Sequence, residues 1–181
     1  MKLTFKLSFS DYYEYNKVYS KIAIGKNLSS IFTIGLFEAV IGAIALVLFF
    51  LKILSNGVSL LLGAILAAVG VYMMLHSKVF FYTKLKKEVR LKYKTHDYFK
   101  NERNVELADE YLLAYSDSDD YRASYREDLK EIIETKNLFI IMIHGRRGII
   151  VPKSEVEQQE VRSELSRISE TYGVRYRHIK E

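Results

Sequence analysis

The chain has 181 residues, no Cys, no Trp, a single Pro and a formal net charge of +5. Without thiols it has no disulfide framework, no thiolate metal site and no cysteine nucleophile. Residues 76–104 hold nine Lys or Arg against three acids, whereas residues 105–181 hold twelve basic against sixteen acidic groups, so the positive charge flanks an apolar block and the large C-terminal part is acidic. A nucleic-acid binder carries its positive charge on the folded module that meets the phosphates, so this distribution argues against nucleic acid and for an anionic membrane surface.

Lys2–Phe9 alternates, with Leu3, Phe5, Leu7 and Phe9 on one face, and this period predicts a half-buried strand. Ser10 or Asp11 is then expected to cap a helix, with Glu14 three residues after Asp11 in capping-box spacing. Tyr12, Tyr13, Tyr15 and Tyr19 crowd this helix, a pattern that suits either a membrane interface or packing against a soluble domain.

Ile31–Leu51 is apolar except for Glu38, and Val58–Leu75 has no charge at all. Roughly 20 apolar residues span a hydrocarbon layer as a helix, and neither run carries the polar stripe of an amphipathic helix. Asn56-Gly57 supplies a turn in the short link, so the two helices are expected to be antiparallel neighbours. A cleaved signal peptide does not fit, because thirty polar and aromatic residues precede the first run and two spans follow. The soluble alternative, a buried helical hairpin, would need a charged face that these runs lack.

Lysines precede the first run and follow the second, while the link carries Lys52 alone, so both termini are expected on the cytoplasmic side. Gly35, Ala39, Gly42 and Ala43 on the first helix, and Gly63, Ala67 and Gly70 on the second, are positions where backbones could approach closely. Glu38 is the one costly residue, at roughly 3 kcal/mol on insertion scales for an acid at the centre of a span. It is read either as an ion, proton or partner site, or as a hydrogen-bonded group in the hairpin interface reaching Ser59 or the headgroups.

After the second span, Phe80, Phe81, Leu85 and Val89 recur at helical spacing. Residues 76–103 are therefore expected to continue the helix as a basic juxtamembrane segment. Lys78, Lys84, Lys86, Lys87, Arg90, Lys92 and Lys94 would snorkel to lipid headgroups there.

From Asn104 the pattern shortens to strands expected at 105–108, 111–116, 121–125, 129–134, 138–143 and 147–151, with the continuous apolar run Leu138–Ile143 at the centre. Gly145-Arg146-Arg147-Gly148 is expected as a hairpin tip, and the guanidiniums of Arg146 and Arg147 are candidates to grip an anion or a partner. Ser154 with Glu157 forms a Ser-x-x-Glu box before a helix that Gly173 stops near Tyr172, and 174–179 is expected as one more short strand. A run of antiparallel strands followed by one helix points to a small sheet or barrel plugged at one end.

No catalytic chemistry is legible. His76, His96, His144 and His178 lack zinc-site spacing, and Asp117, Asp119 and Asp120 lack the twelve-residue calcium loop. No phosphate loop and no Gly-x-Ser-x-Gly elbow is present. No catalytic residue, metal or cofactor is therefore expected.

The stretch 129–156 carries Ile132-Ile133-Glu134-Thr135, then Leu138-Phe139-Ile140-Ile141, then Ile149-Ile150-Val151-Pro152-Lys153. In these residues, and in the order of its parts, the chain resembles the bacterial YcxB-like membrane proteins. The resemblance implies a short N-terminal strand and helix, a two-span hairpin, a basic juxtamembrane segment and a C-terminal domain similar to pleckstrin-homology-like sheets. It brings no assigned activity.

The expected fold class is thus an α+β membrane protein, a transmembrane helical hairpin plus a small antiparallel-sheet domain with a C-terminal helix. Its expected domains are a cytoplasmic strand and helix (1–30), the hairpin (31–75), the juxtamembrane helix (76–103) and the PH-like domain (104–181). The leading functional expectation is a non-enzymatic adaptor or regulatory protein in the bacterial inner membrane. Its cytoplasmic domain would bind a protein partner or anionic lipid, and homo-oligomers are compatible with it. Two alternatives stand beside it: an immunity protein that neutralises a membrane-active toxin through the hairpin, and an accessory subunit of a transporter or channel.

Overall fold

The computed structural model describes residues 1–181 apart from 54–55, 97–98, 100, 117–118, 145–147 and 180–181, with backbone alone at 116, 119 and 120. In chain order the elements are β1 (Lys2–Phe5), α1 (Phe9–Phe50), α2 (Gly57–Leu75), a π-helical turn (His76–Phe80) and α3 (Phe81–Thr95). Then come β2 (Arg103–Leu107), β3 (Tyr111–Ser116), β4 (Asp119–Ser124), β5 (Leu129–Glu134), β6 (Leu138–Ile143) and β7 (Ile149–Pro152). A 3₁₀ turn (Lys153–Glu155), α4 (Gln158–Tyr172) and β8 (Arg175–His178) complete the fold. The class is α+β, with two long apolar helices and two sheets, and the chain divides into two units: Lys17–Lys87, and Met1–Asn16 with Glu88–Glu181.

Within Lys17–Lys87 the helices run antiparallel, because contacts that climb α1 descend α2. Lys78 Nζ lies 3.9 Å from the centroid of the Phe32 ring. Gly35 meets Gly70 and Met73, Gly42 meets Gly63 and Ala67, and Gly63 meets Ala45. A Cβ at Gly35 would fall 2.8 Å from the Gly70 carbonyl oxygen, and one at Gly42 would fall 2.7 Å from that of Gly63. Backbone atoms cannot swing aside, so only hydrogen fits, and the small residues are here a contact surface. The outer faces are apolar and bare: Phe37 is 65% exposed, Val47 56% and Leu61 62%. Only 11% of the most apolar window of each helix is buried, the reverse of a soluble core helix. The π-helical turn, in which Phe81 N–H donates to His76 O, adds a residue to one turn and re-phases α3 relative to α2.

The other unit holds two four-stranded sheets, ordered β1-β2-β3-β4 and β7-β6-β5-β8. The first is antiparallel throughout, and Lys2–Phe5 pairs with Glu106–Arg103, so β1 lies beside a strand about a hundred residues later in the chain. Leu3 and Phe5 point into the core while Lys2 and Thr4 face out, as period-two alternation requires. All six residues of β6 are buried, which suits its interior place in the second sheet. Val161, Leu165 and Ile168 form the buried stripe of α4, one or two turns apart.

Three local expectations are corrected. The cap of α1 is Ser8, not Ser10 or Asp11: Ser8 Oγ accepts from Asp11 N at 3.2 Å, and Asp11 Oδ2 accepts from Ser8 N at 2.9 Å. That box leaves Glu14 to accept from Thr135 Oγ1 at 2.6 Å and Asn137 Nδ2 at 2.8 Å. Ser154 does not cap α4, whose N-cap residue is Glu157. Lys153 N is held by Asn137 O at 2.8 Å and its side chain is drawn inward, while Val156 is extended, so 153–155 close a separate turn. The first strand stops at Phe5 rather than running to Phe9, where α1 has already begun, while the last strand, β8, pairs parallel to β5.

The glycine contacts generate a prediction. Gly42→Leu forces the helices apart and lowers the stability of the hairpin by about 1–3 kcal/mol. Gly57→Ala, with nothing within 4 Å of its new methyl, is harmless. Thermal unfolding of the two variants in detergent, followed by circular dichroism, measures the difference.

Candidate functional site

Charged residues are seldom buried unless paired, and the sheet unit buries several. Glu134 ends β5 at 5% exposure, and Lys153, just after Pro152, is 7% exposed. Lys153 Nζ donates to Glu134 Oε1 and to Thr135 O, both at 2.7 Å. From α4, Arg162 Nη2 donates to Glu134 Oε1 at 2.6 Å, and Arg162 Nε bridges both oxygens. From β8, Tyr176 OH donates to Glu134 Oε2 at 2.8 Å, and His178 Nδ1 lies 3.3 Å from the same atom. Beside it, Arg177 pairs with the buried Glu131 at 3.0 Å.

Burial by itself would raise the Glu134 carboxyl, but hydrogen bonds from Arg162, Lys153 and Tyr176 outweigh it and hold the group down to about 2. Burial, and then Glu134, push the Tyr176 hydroxyl upward. Both carboxylate oxygens are engaged several times over, so Glu134 has no lone pair left for a substrate. The cluster clamps β5, the 3₁₀ turn, α4 and β8 together. Sequence reading passed over it because Glu134 and Lys153 are nineteen residues apart and neither sits in a motif. The available signal was an acid closing an otherwise apolar strand.

The same unit contains a cavity of about 330 Å³ lined by Tyr12, Tyr15, Lys92, His96, Phe99, Gly148 and Ile150. Its wall is a row of aromatic rings. Tyr93 and Phe99 have centroids 5.3 Å apart, Phe99 and Tyr12 4.3 Å, and Tyr12 and Tyr15 6.4 Å. Tyr93 OH donates to Leu7 O at 3.0 Å, which ties α3 to the chain just before α1. His96 N bonds Lys92 O at 3.0 Å, so the helical turn persists and brings both side chains to the cavity. Gly148 has φ +135°, and a Cβ there would stand 2.9 Å from Ile141 O, so only glycine fits.

The residues singled out from sequence fall in several places. Tyr12 and Tyr15 are buried in the sheet unit, where they pack in the core. Glu38 is half-buried; its Oε2 is shielded and has no hydrogen-bond partner among the described residues, so the expected reach to Ser59 is not made. Lys78, Lys84, Lys86, Lys87, Arg90, Lys92 and Lys94 are all exposed. Within that set the Arg90 guanidinium stands 5.4 Å from the Phe9 ring and Lys92 borders the cavity. Arg146, Arg147 and Asp117 lie outside the described residues.

These features define an α+β protein with two helices long and apolar enough to cross a membrane, joined in sequence to a two-sheet unit with a saturated charge cluster. Residues 107–168 match the family model described as YcxB-like protein. The matched span runs from the end of β2 into the last third of α4 and contains Glu134, Lys153 and Arg162, so the clamp lies largely inside the matched segment. No curated protein and no solved structure matches the chain.

The clamp predicts a pH signature. Glu134 is depressed on folding, so its contribution, about 3 kcal/mol, is fully present above the ordinary carboxyl value near 4.5 and is lost as pH falls towards 2. Glu134→Ala leaves Lys153 buried without a counter-ion and destabilises by about 3 kcal/mol or more at neutral pH. Denaturant unfolding of full-length protein in detergent should show the gap between wild type and variant closing as pH approaches 2.

Proposed function

We propose that the chain is a two-span protein of the bacterial inner membrane with both termini cytoplasmic, and that its two-sheet unit is a non-enzymatic, pleckstrin-homology-like adaptor or regulatory module for a protein partner or anionic lipid. The observation that carries the membrane reading is the apolar outer surface of α1 and α2, where Phe37, Ile41, Ile44, Val47, Leu61 and Leu62 all stand about half exposed or more. In water each would lose favourable burial worth about 1.5–3 kcal/mol, whereas in lipid the exposure is the favourable state. The β1–β2 ladder supports same-side termini, since a chain that leaves one strand and returns to its neighbour must cross a bilayer an even number of times. The Lys/Arg excess on the flanks supports the cytoplasmic side. Two sheets followed by a C-terminal helix, with β8 added alongside β5, support a PH-like reading of the module. The saturated cluster at Glu134 supports a binding role over catalysis.

Glu38 favours a second reading. A carboxyl oxygen shielded and unpartnered inside the hairpin is a natural contact for another membrane protein, as toxin neutralisation or a transporter accessory role would require.

Alkaline carbonate should leave the full-length protein in the membrane pellet, and reporters fused to either terminus should score cytoplasmic; extraction, or a reporter outside the cell, overturns the anchor. Replacing residues 31–75 by an unrelated two-span hairpin should preserve adaptor activity. Loss of activity on that replacement, matched by loss in Glu38→Gln with insertion intact, selects the second reading.

A further inference from the structure

We infer that the cavity lined by Tyr12, Tyr15, Lys92, His96, Phe99, Gly148 and Ile150 is a binding site for a small amphipathic anion: one phosphate or carboxylate joined to an aromatic ring or short acyl chain. The inference deepens the reading of the two-sheet unit as a ligand-binding module and rests on it.

Size, lining and charge lead to that ligand class. A volume of about 330 Å³ lies at the lower end of the roughly 300–1,000 Å³ typical of small-molecule sites, enough for a ring or a few methylenes with a headgroup. Tyr12, Phe99 and Ile150 are buried among their neighbours, and the packed aromatic row that Tyr12 and Phe99 join fixes the wall without side-chain reordering. An apolar body entering there would gain contact with rigid rings at little entropic cost. Lys92 and His96, one helical turn apart and both exposed, supply the polar contacts, and among the described residues no carboxylate lines the cavity. Among the described residues neither side chain forms an ion pair, in contrast to Lys153, Arg162 and Arg177 in the same unit. The Lys92 ammonium at an aromatic wall repels cationic ligands and attracts anions, the His96 ring offers an N–H donor beside it, and the apolar wall selects against bare inorganic ions. Gly148 borders the cavity with backbone alone, because its φ of +135° and its close approach to Ile141 O admit no side chain there.

The same chemistry could arrive as the headgroup and first methylenes of an anionic lipid or as a soluble metabolite. Full-length protein in neutral phosphatidylcholine nanodiscs, titrated with phenyl phosphate by isothermal titration calorimetry, tests the site. Phenyl phosphate should bind at least about tenfold tighter than inorganic phosphate, and the double variant Lys92→Gln, His96→Gln should weaken it about tenfold or more. Ile150→Trp, which fills the cavity, should abolish binding. Because Ile150 is buried, the exposed pair Lys92 and His96 carries the test if that variant misfolds. Repeating the titration in phosphatidylglycerol nanodiscs separates the sources: competition identifies lipid, and unchanged affinity identifies a soluble ligand. Binding no tighter than inorganic phosphate, or binding indifferent to the double variant, overturns the assignment. That failure in a chain still resistant to carbonate would strike the cavity alone, whereas the anchored-adaptor reading fails by extraction or by the span replacement.

Discussion

A four-residue ladder holds the chain to its plan. Lys2–Phe5 must lie against Arg103–Glu106 for Leu3 and Phe5 to be buried, so the intervening segment, with both apolar helices, is a closed loop whose ends meet inside one sheet. Closing a loop of roughly a hundred residues costs only slightly more entropy than closing one half as long. Four residue pairs along one ladder and two buried apolar side chains can therefore sustain it. The consequence is topological: whatever surrounds the helices, the N-terminal strand belongs to the unit that contains β2 to β8.

The two acids set in apolar surroundings have opposite fates. Glu134 draws Lys153, Arg162 and Tyr176 from three separate elements and ends with each oxygen engaged. The desolvation of its charge is then offset within the fold, and the product is a fixed geometry. Glu38 has an oxygen shielded by its own hairpin with no hydrogen-bond partner among the described residues. The first arrangement is complete in itself. The second is left open.

Much of the fold was legible because periodicity acts locally. The bounds of β3, β5 and β6 agree with those read from turn signals, and the glycine face of α2 is the face that meets α1. Errors arose where a distant group overrode a local motif. Ser154 and Glu157 form a sound capping box on paper, yet Asn137 and Glu134 claim Lys153 and break the turn in which the box would form. Ser8 was passed over as a cap because the strand alternation runs on through it to Phe9. The candidate site was hardly legible at all. Its lining comes from α1, the end of α3 and the start of β7, more than a hundred residues apart, and no single segment carries a signature.

The placement of β8 makes four residues decisive. Arg177 neutralises Glu131, and Tyr176 with His178 completes the shell around Glu134, all from one short strand added beside β5. A chain cut after Val174 would have its apolar core but would present two acids on β5 with an uncovered strand edge beside them. Loss of this one strand would thus join exposed charge to an open edge, a combination that invites proteolysis.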